Sequence, residues 1–361
     1  MEQPVKLSIA ATSKRVDIVR FLGGLMTVVF RNRVPWPKKL LMPFVFALAV
    51  VIPGPRFLNA ESLRVALSTK DFGYLPLFVG MRSGMFAQEG LDIQWIQVGT
   101  NVVVTALLAG EIDVAGIAGS SMRAAARGAP LKANFFPYSK SLFVLMGAPE
   151  IKRVQDLRGK IIGTTAPGAT TEIAAAMVLE HYGLDPKKDV SFRVVGGADT
   201  SIAAMKSGLV QARAFNPDAA FLLKKQGFSE LAVLADFGAW PWAGYSTSDA
   251  NLITRRDKLK RWTHAMVKSL QFMLNRREET YKIAQAEFGH PRDVNESAVD
   301  VCIKAIDPDN PGGATEESLR KNIDLTITGP LKLAASPPLS KLVDFSLLHE
   351  VQKELGIGAK K

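Results

Sequence analysis

Strand and helix patterns that alternate from residue 61 onward predict an α/β protein with largely parallel sheets. A helix end, a glycine and a strand start occur together twice, as ALLAGEIDVA at 106–115 and AMKSGLVQAR at 204–213, which predicts two lobes of similar build. The chain is expected to cross between them near 147–149 and near 243–246. Two crossings make a hinge, and a hinge implies closure on something held between the lobes. The expected division is a leader over 1–60, lobe 1 over 61–147, lobe 2 over 148–243, and a return to lobe 1 with C-terminal helices over 244–361.

Each element has its own signal. LRVALS at 63–68 reads as a strand, followed by a turn-rich KDFGYLP and an apolar helix over 77–86 that ends at Gly90. LDIQWIQV at 91–98 alternates at period two, the mark of a half-buried strand. Gly99, Thr100 and Asn101 open a helix over 102–108, IDVAGIA at 112–118 is a small buried strand, and GSSM opens a helix at 123–127. KANFFPYS and SLFVLMG supply further strands. In lobe 2, strands are expected at 160–163, 190–195, 212–215 and 231–235. NLITRR at 251–256 reads as a strand returning to lobe 1, and helices follow at 257–274, 295–305, 316–324 and 340–355.

The net charge of +11 invites a nucleic-acid reading, but its location argues against one. Nine Lys/Arg and only Glu2 and Asp17 lie in residues 1–60, so +7 of the +11 sits there and the rest is an ordinary surface without a basic aromatic stripe. That head has the plan of an export signal: Lys38 and Lys39, then the 13-residue apolar run LLMPFVFALAVVI at 40–52, then Leu58-Asn59-Ala60 as a cleavage site. A membrane span needs roughly 20 apolar residues. The alternative is an uncleaved anchor; no cysteine sits near Ala60 to take a lipid. Cys302 is the single cysteine, so no intramolecular disulfide forms, and His181, His264, His290 and His349 are scattered without metal-ligand spacing.

The stretch LRGKIIGTTAPGATTEIAAAMVLEHY at 157–182 is a buried strand, a loop of small residues and a helix. Thr170 and Thr171 stand where they can cap free N–H groups, and Glu172 places an acid in the first turn. Such a turn suits an anion. The absence of Lys or Arg between Ile161 and Glu172 excludes the phosphate-loop pattern. An ordinary strand-to-helix turn is the plainer reading.

In order and spacing, a set of short motifs resembles one family over nearly the whole chain after the leader. They are GYLPL at 73–77, SGMF at 83–86, EGLD at 89–92, ALLAGEIDVA at 106–115, RGAP at 127–130, DLRGKIIG at 156–163 and YGLDP at 182–186. The family is the periplasmic solute-binding proteins of ABC importers of the nitrate, sulfonate, taurine and thiamine-precursor group. The resemblance implies a two-lobed type II periplasmic-binding-protein fold. It also implies ligand-facing roles for Gly73, Tyr74, Gly99, Thr100, Ser120, Ser121 and Tyr138 in lobe 1, and for Thr170, Thr171, Asp199 and Asn216 in lobe 2.

Taken alone, Ser120, Ser121, Thr170 and Asp199 serve equally as helix caps, and Tyr74 and Tyr138 as core aromatics. Where many relatives have Trp-Asp-Pro this chain has Phe215-Asn216-Pro217, which argues against a cationic ligand there, and Gln211 stands where lobe 1 has Asp113. Phe237, Trp240, Trp242 and Tyr245 cluster by the second crossing as cleft wall or hinge staple. Lys140 is the one cation expected near a site loop, so binding would rest on backbone dipoles. The expected function is a periplasmic, monomeric, non-catalytic receptor without a cofactor. It would hold a small organic anion such as a sulfonate, carboxylate or pyrimidine precursor and deliver it to a membrane permease. The alternative is an enzyme on the same fold, resembling a thiamine-pyrimidine synthase or a menaquinone-pathway dehydratase. The synthase's relatives use a Cys-rich iron-binding motif that Cys302 alone cannot supply.

Overall fold

The computed structural model describes residues 60–241 and 243–358. The expected leader, apart from Ala60, lies outside the described residues. Lobe 1 begins with β1 (Glu61–Leu67), α1 (Leu75–Arg82), α2 (Met85–Gln88), β2 (Leu91–Gln97), α3 (Thr100–Leu108), β3 (Val114–Gly116), α4 (Ala118–Ala126) and β4 (Leu131–Phe135). Lobe 2 is β5 (Val144–Gly147), β6 (Ile161–Thr164), α5 (Thr170–His181), β7 (Ser191–Val194), α6 (Ala198–Lys206), β8 (Ala212–Phe215), α7 (Pro217–Lys225) and β9 (Ser229–Val233). The chain returns through β10 (Tyr245–Ser248), α8 (Asp249–Thr254), α9 (Arg256–Asn275), α10 (Arg277–Phe288) and α11 (Arg292–Ala305). It ends in α12 (Glu316–Ile323), a π-helical turn at Asp324–Thr328, α13 (Leu339–Leu342) and α14 (Ser346–Glu354).

Two five-stranded sheets result, with strand orders β2-β1-β3-β10-β4 and β7-β6-β8-β5-β9. In each, one strand runs against its neighbours: β10 is antiparallel to β3 and β4, and β5 is antiparallel to β8 and β9. Both are the strands laid down just after the chain changes lobes. A chain arriving from the other lobe enters the sheet at the end facing that lobe and so runs opposite to the strands already there. Helices cover the faces, and the largest apolar cluster joins β1, α1, α9, α11 and α14.

Four expectations need correction. The first crossing lies in residues 136–143, ahead of β5, because β5 is zipped between β8 and β9 and belongs to lobe 2. That pairing is non-local and leaves no trace in the run SLFVLMG. The strand expected at 251–256 is helix: Ser248 Oγ accepts the Asn251 N–H at 3.2 Å as an N-cap, and the returning strand is the preceding YSTS. The helix expected over 77–86 breaks at Gly84, which takes φ +70° between α1 and α2. The helix expected over 340–355 breaks at Val343, which turns extended to bridge Ala133.

The two passages between lobes, 136–143 and 234–244, run side by side. Trp240 N–H donates to Ser139 O and Leu234 N–H to Phe143 O, both at 2.9 Å. At the second passage Ala243 holds φ +52°, and Gly244 packs so tightly that a Cβ there would stand 2.4 Å from the Phe136 ring.

Candidate functional site

In sheets of this kind a ligand is expected beyond the carboxyl ends of the parallel strands. Here those ends come together across the lobes. Asp71, just past β1, accepts from Thr69 Oγ1 at 2.5 Å and from Gly73 N–H at 2.9 Å. Asn216 and Asp218, just past β8, act on the same carboxyl group. Burial, and after it the Asp218 charge, push Asp71 up to about 6, while Thr69, Gly73 and the Asn216 amide oppose the rise. His290, just before α11, closes the group from the lobe 1 side: its Nε2 lies 3.2 Å from Asp218 Oδ2. The Asp218 partnership raises the imidazole above its ordinary value, with a smaller contribution from Asp199. The site is thus framed by Asp71, Asn216, Asp218 and His290, with two buried acceptors, Asn216 Oδ1 and Asp218 Oδ1, that have no hydrogen-bond partner.

Five of the lobe 1 candidates, Gly73, Tyr74, Ser120, Ser121 and Tyr138, are committed to structure. Gly73 lies in a 3-10 turn and donates to Asp71. Tyr74 is buried; its hydroxyl donates to Gly116 O and its ring meets Tyr245 edge-on at 5.8 Å. Tyr138 is fully buried and donates to Phe72 O at 3.0 Å. Ser121 is buried in the first turn of α4 and bonds Ser246 Oγ at 2.6 Å, while Ser120 accepts from Arg123 Nη2 at 3.0 Å. Gly99 caps α3 with open space where a Cβ would stand, and Thr100 begins that helix, its side chain outside the described residues.

Lobe 2 is less settled. Neither α5, α6 nor α7 has a side-chain cap at its start, because Ala169, Gly197 and Asn216 occupy the cap positions without such a bond. The two threonines differ. Thr171 turns inward, its Oγ1 3.1 Å from Thr164 Oγ1 and 3.2 Å from both Thr165 N and Thr165 Oγ1, so it ties the loop to the strand. Thr170 stays half-buried at the helix start. Asp199 is exposed in the first turn of α6. Of the aromatic cluster, Tyr245 belongs to the lobe 1 core and Trp240 to the lobe 2 core, while Phe237 packs on His181; Trp242 lies outside the described residues.

One buried cation near the strand ends of lobe 2 is missing from the sequence-based expectations. Arg213 on β8 is 4 % exposed and forms no ion pair among the described residues. Its Cζ stands 4.5 Å over the centre of the Phe215 ring, its Nη2 lies 3.4 Å from Gly196 O, and its Nε has no partner. Burial alone lowers it to about 10. Lys140, the cation expected there, is exposed. The repeated segment held the signal, since its second copy puts Arg213 where the first has Ala115. Asp71, Asp218 and His290 carried none. Cys302 is no nucleophile: it is fully buried, its thiol donates to Phe72 O, and burial pushes it far above its ordinary range.

Residues 71–280, more than half of the chain, match the family described as NMT1/THI5 like, and the chain belongs to that family. A Bacillus subtilis (strain 168) relative, the putative binding protein YtlA, is 26% identical over 228 residues, which are 59% of this chain and 66% of the relative. Among solved structures, a ligand-binding component of an ABC-type import system from Staphylococcus aureus aligns with TM-score 0.65 at 15% identity, covering 81% of this chain and 99% of that one. The periplasmic aliphatic sulphonate binding protein SsuA from Escherichia coli aligns with TM-score 0.63 at 18% identity, covering 79% and 92%. The desulfurization enzyme DszB aligns with TM-score 0.60 at 13% identity, covering 82% and 99%. These structures share the two-lobed periplasmic-binding-protein fold with this chain.

Proposed function

With membership of that family as premise, we propose that the chain is the substrate-binding component of an ABC importer, and that it changes nothing it binds. It works outside the cytoplasm, captures a small organic anion such as a sulfonate, carboxylate or pyrimidine precursor between its lobes, and hands it to a permease. The convergence of strand ends from two lobes on Asp71, Asn216, Asp218 and His290 carries the receptor reading, and the two unpaired acceptors there suit a hydrogen-bond donor on the solute and leave its charged head to be held elsewhere. Names of relatives add support: one is a putative binding protein, one solved neighbour is a ligand-binding component of an ABC-type import system, and another is a periplasmic aliphatic sulphonate binding protein. Among the eleven sequence candidates, Gly99, Thr100, Thr170 and Asn216 keep a contact role. Ser120, Ser121, Tyr74, Tyr138 and Thr171 act by shaping the walls, with Gly73 orienting Asp71 and Asp199 setting the local charge.

The enzyme reading is favoured by the likeness in fold to DszB and by the NMT1/THI5 like family match. The sealed Cys302 thiol weighs against it. Native mass spectrometry of protein purified without its leader tests the receptor reading, with a co-purified small molecule as the expected result. A thermal-shift panel of sulfonates, carboxylates, nitrate and pyrimidines should then single out one class, since a ligand at 100 times its dissociation constant adds about 2.7 kcal/mol. Catalytic turnover of the bound compound, with product released, would overturn it.

A further inference from the structure

Arg213 is an expensive residue to keep. A guanidinium taken out of water needs a counter-charge or a full set of acceptors, and this one has neither. Among the described residues its side chain makes one hydrogen bond, the long contact to Gly196 O, and pairs with no carboxylate. At the equivalent place in lobe 1 the chain has Ala115, so the strand does not need a cation to form.

The position of its head group supplies the reason. The Arg213 side chain leans along β8 toward the strand's carboxyl end, bringing Cζ over Phe215 and Nη2 to Gly196. Gly196 and Gly197 carry the chain from β7 into α6, Gly196 with φ +83° and Gly197 at the cap position. No side chain caps that nine-residue helix. Ser201 and Thr200 hydroxyls donate back to Gly196 O and Gly197 O, which draws the loop's carbonyls inward, onto the helix. Two independent positive features therefore meet on the lobe 2 side of the cleft: a buried, unpaired guanidinium and the open start of a helix.

We propose that Arg213 and the start of α6 form an anion-holding subsite in lobe 2, which receives the charged head of the transported solute, a sulfonate, carboxylate or phosphate. The assignment rests on the receptor reading above and sharpens it, naming the residue that supplies the positive charge. It also accounts for the unpaired cation, whose counter-charge is the ligand. The exposed Asp199 in the first turn of α6 opposes an anion there, and its charge also acts on His290.

Titration calorimetry of the mature protein with methanesulfonate, acetate and inorganic phosphate, in low-chloride buffer, tests this. Wild-type protein should bind at least one of the three, and which one names the head group. Arg213→Met, which keeps the bulk but drops the charge, should bind it at least tenfold more weakly while melting at the same or a higher temperature without ligand. Arg213→Lys should fall between the two. An Arg213→Met protein that binds within twofold of wild type would overturn the assignment. So would a wild type that ignores all three anions yet binds a neutral solute, and that result would leave the receptor reading standing. A wild type that neither carries nor binds any small solute would overturn both.

Discussion

The segment that occurs twice, 106–115 and 204–213, does the same structural work in both lobes and opposite electrostatic work. In the first copy Asp113 accepts the Arg64 N–H, and in the second Gln211 accepts the Ile161 N–H, each fastening a short central strand to the one beside it. There the likeness ends. Asp113 is buried and held by Arg255 Nη1 at 2.6 Å and Lys258 Nζ at 2.8 Å. Burial alone would raise its carboxyl group, but Lys258, the Arg64 N–H and Arg255 outweigh that and lower it. Lobe 2 has a neutral amide in that place and an unpaired cation two residues later. Lobe 1 has spent its charges on holding the sheet to the C-terminal helices. Lobe 2 keeps a charge in reserve. A repeated segment can thus conserve a backbone contact while exchanging a structural charge for a functional one.

The contrast can be broken most forcefully at its anchor. Asp113→Ala leaves Arg64, Arg255 and Lys258 facing a gap without their shared carboxylate and should cost about 3–5 kcal/mol of unfolding free energy, whereas Gln211→Ala should cost only about 1 kcal/mol; equal losses in chemical denaturation would erase the distinction. Next in size is the pair of threonines. Thr171→Val removes a hydroxyl with three partners and should cost about 1–3 kcal/mol, while Thr170→Val should leave the melting temperature alone and weaken ligand binding. Ser121→Ala, in the settled lobe, should cost about 1 kcal/mol without changing affinity, a result calorimetry and melting can separate.

Proton linkage should give a smaller effect. Asp71 rises from 3.8 to about 6, and His290 lies above its usual 6.5. Both groups hold protons more tightly folded than unfolded, so their stabilisation is complete at low pH and fades as pH rises through those values. The melting temperature should fall between about pH 4 and pH 6 as Asp71 ionises, and fall further above pH 6.5 as His290 loses its proton, and Asp71→Asn should flatten the first of these falls. The smallest change is expected of Asp199→Asn, which should tighten anion binding by about 0.3–1 kcal/mol by removing a negative charge from the start of α6.

What could be read from the sequence was what depends on neighbours along the chain. Period-two alternation marked β2, the glycine after Leu108 and Ala109 marked the end of α3, and the apolar spacing of 257–274 marked α9. Partnerships across the fold were hidden. SLFVLMG reads identically whether β5 joins one sheet or the other, and the decision lies in its ladder with Val144 opposite Phe215. Tyr74, Ser121 and Tyr138 were visible as hydroxyls near strand ends, but whether a hydroxyl meets a ligand or a carbonyl depends on where Gly116, Ser246 and Phe72 end up. Arg213 was overlooked for the opposite reason: a basic residue in a strand reads as surface until the strand proves to be central.

The sealed thiol of Cys302 has a practical consequence. It is the chain's only cysteine and has no exposed surface, so thiol-reactive dyes should leave the folded protein unmarked. One cysteine introduced on each lobe would then carry the whole label, and the distance between two fluorophores would report opening and closing in solution against a dark background. In the unaltered protein the rate at which the thiol becomes reactive would time the transient opening of the lobe 1 core.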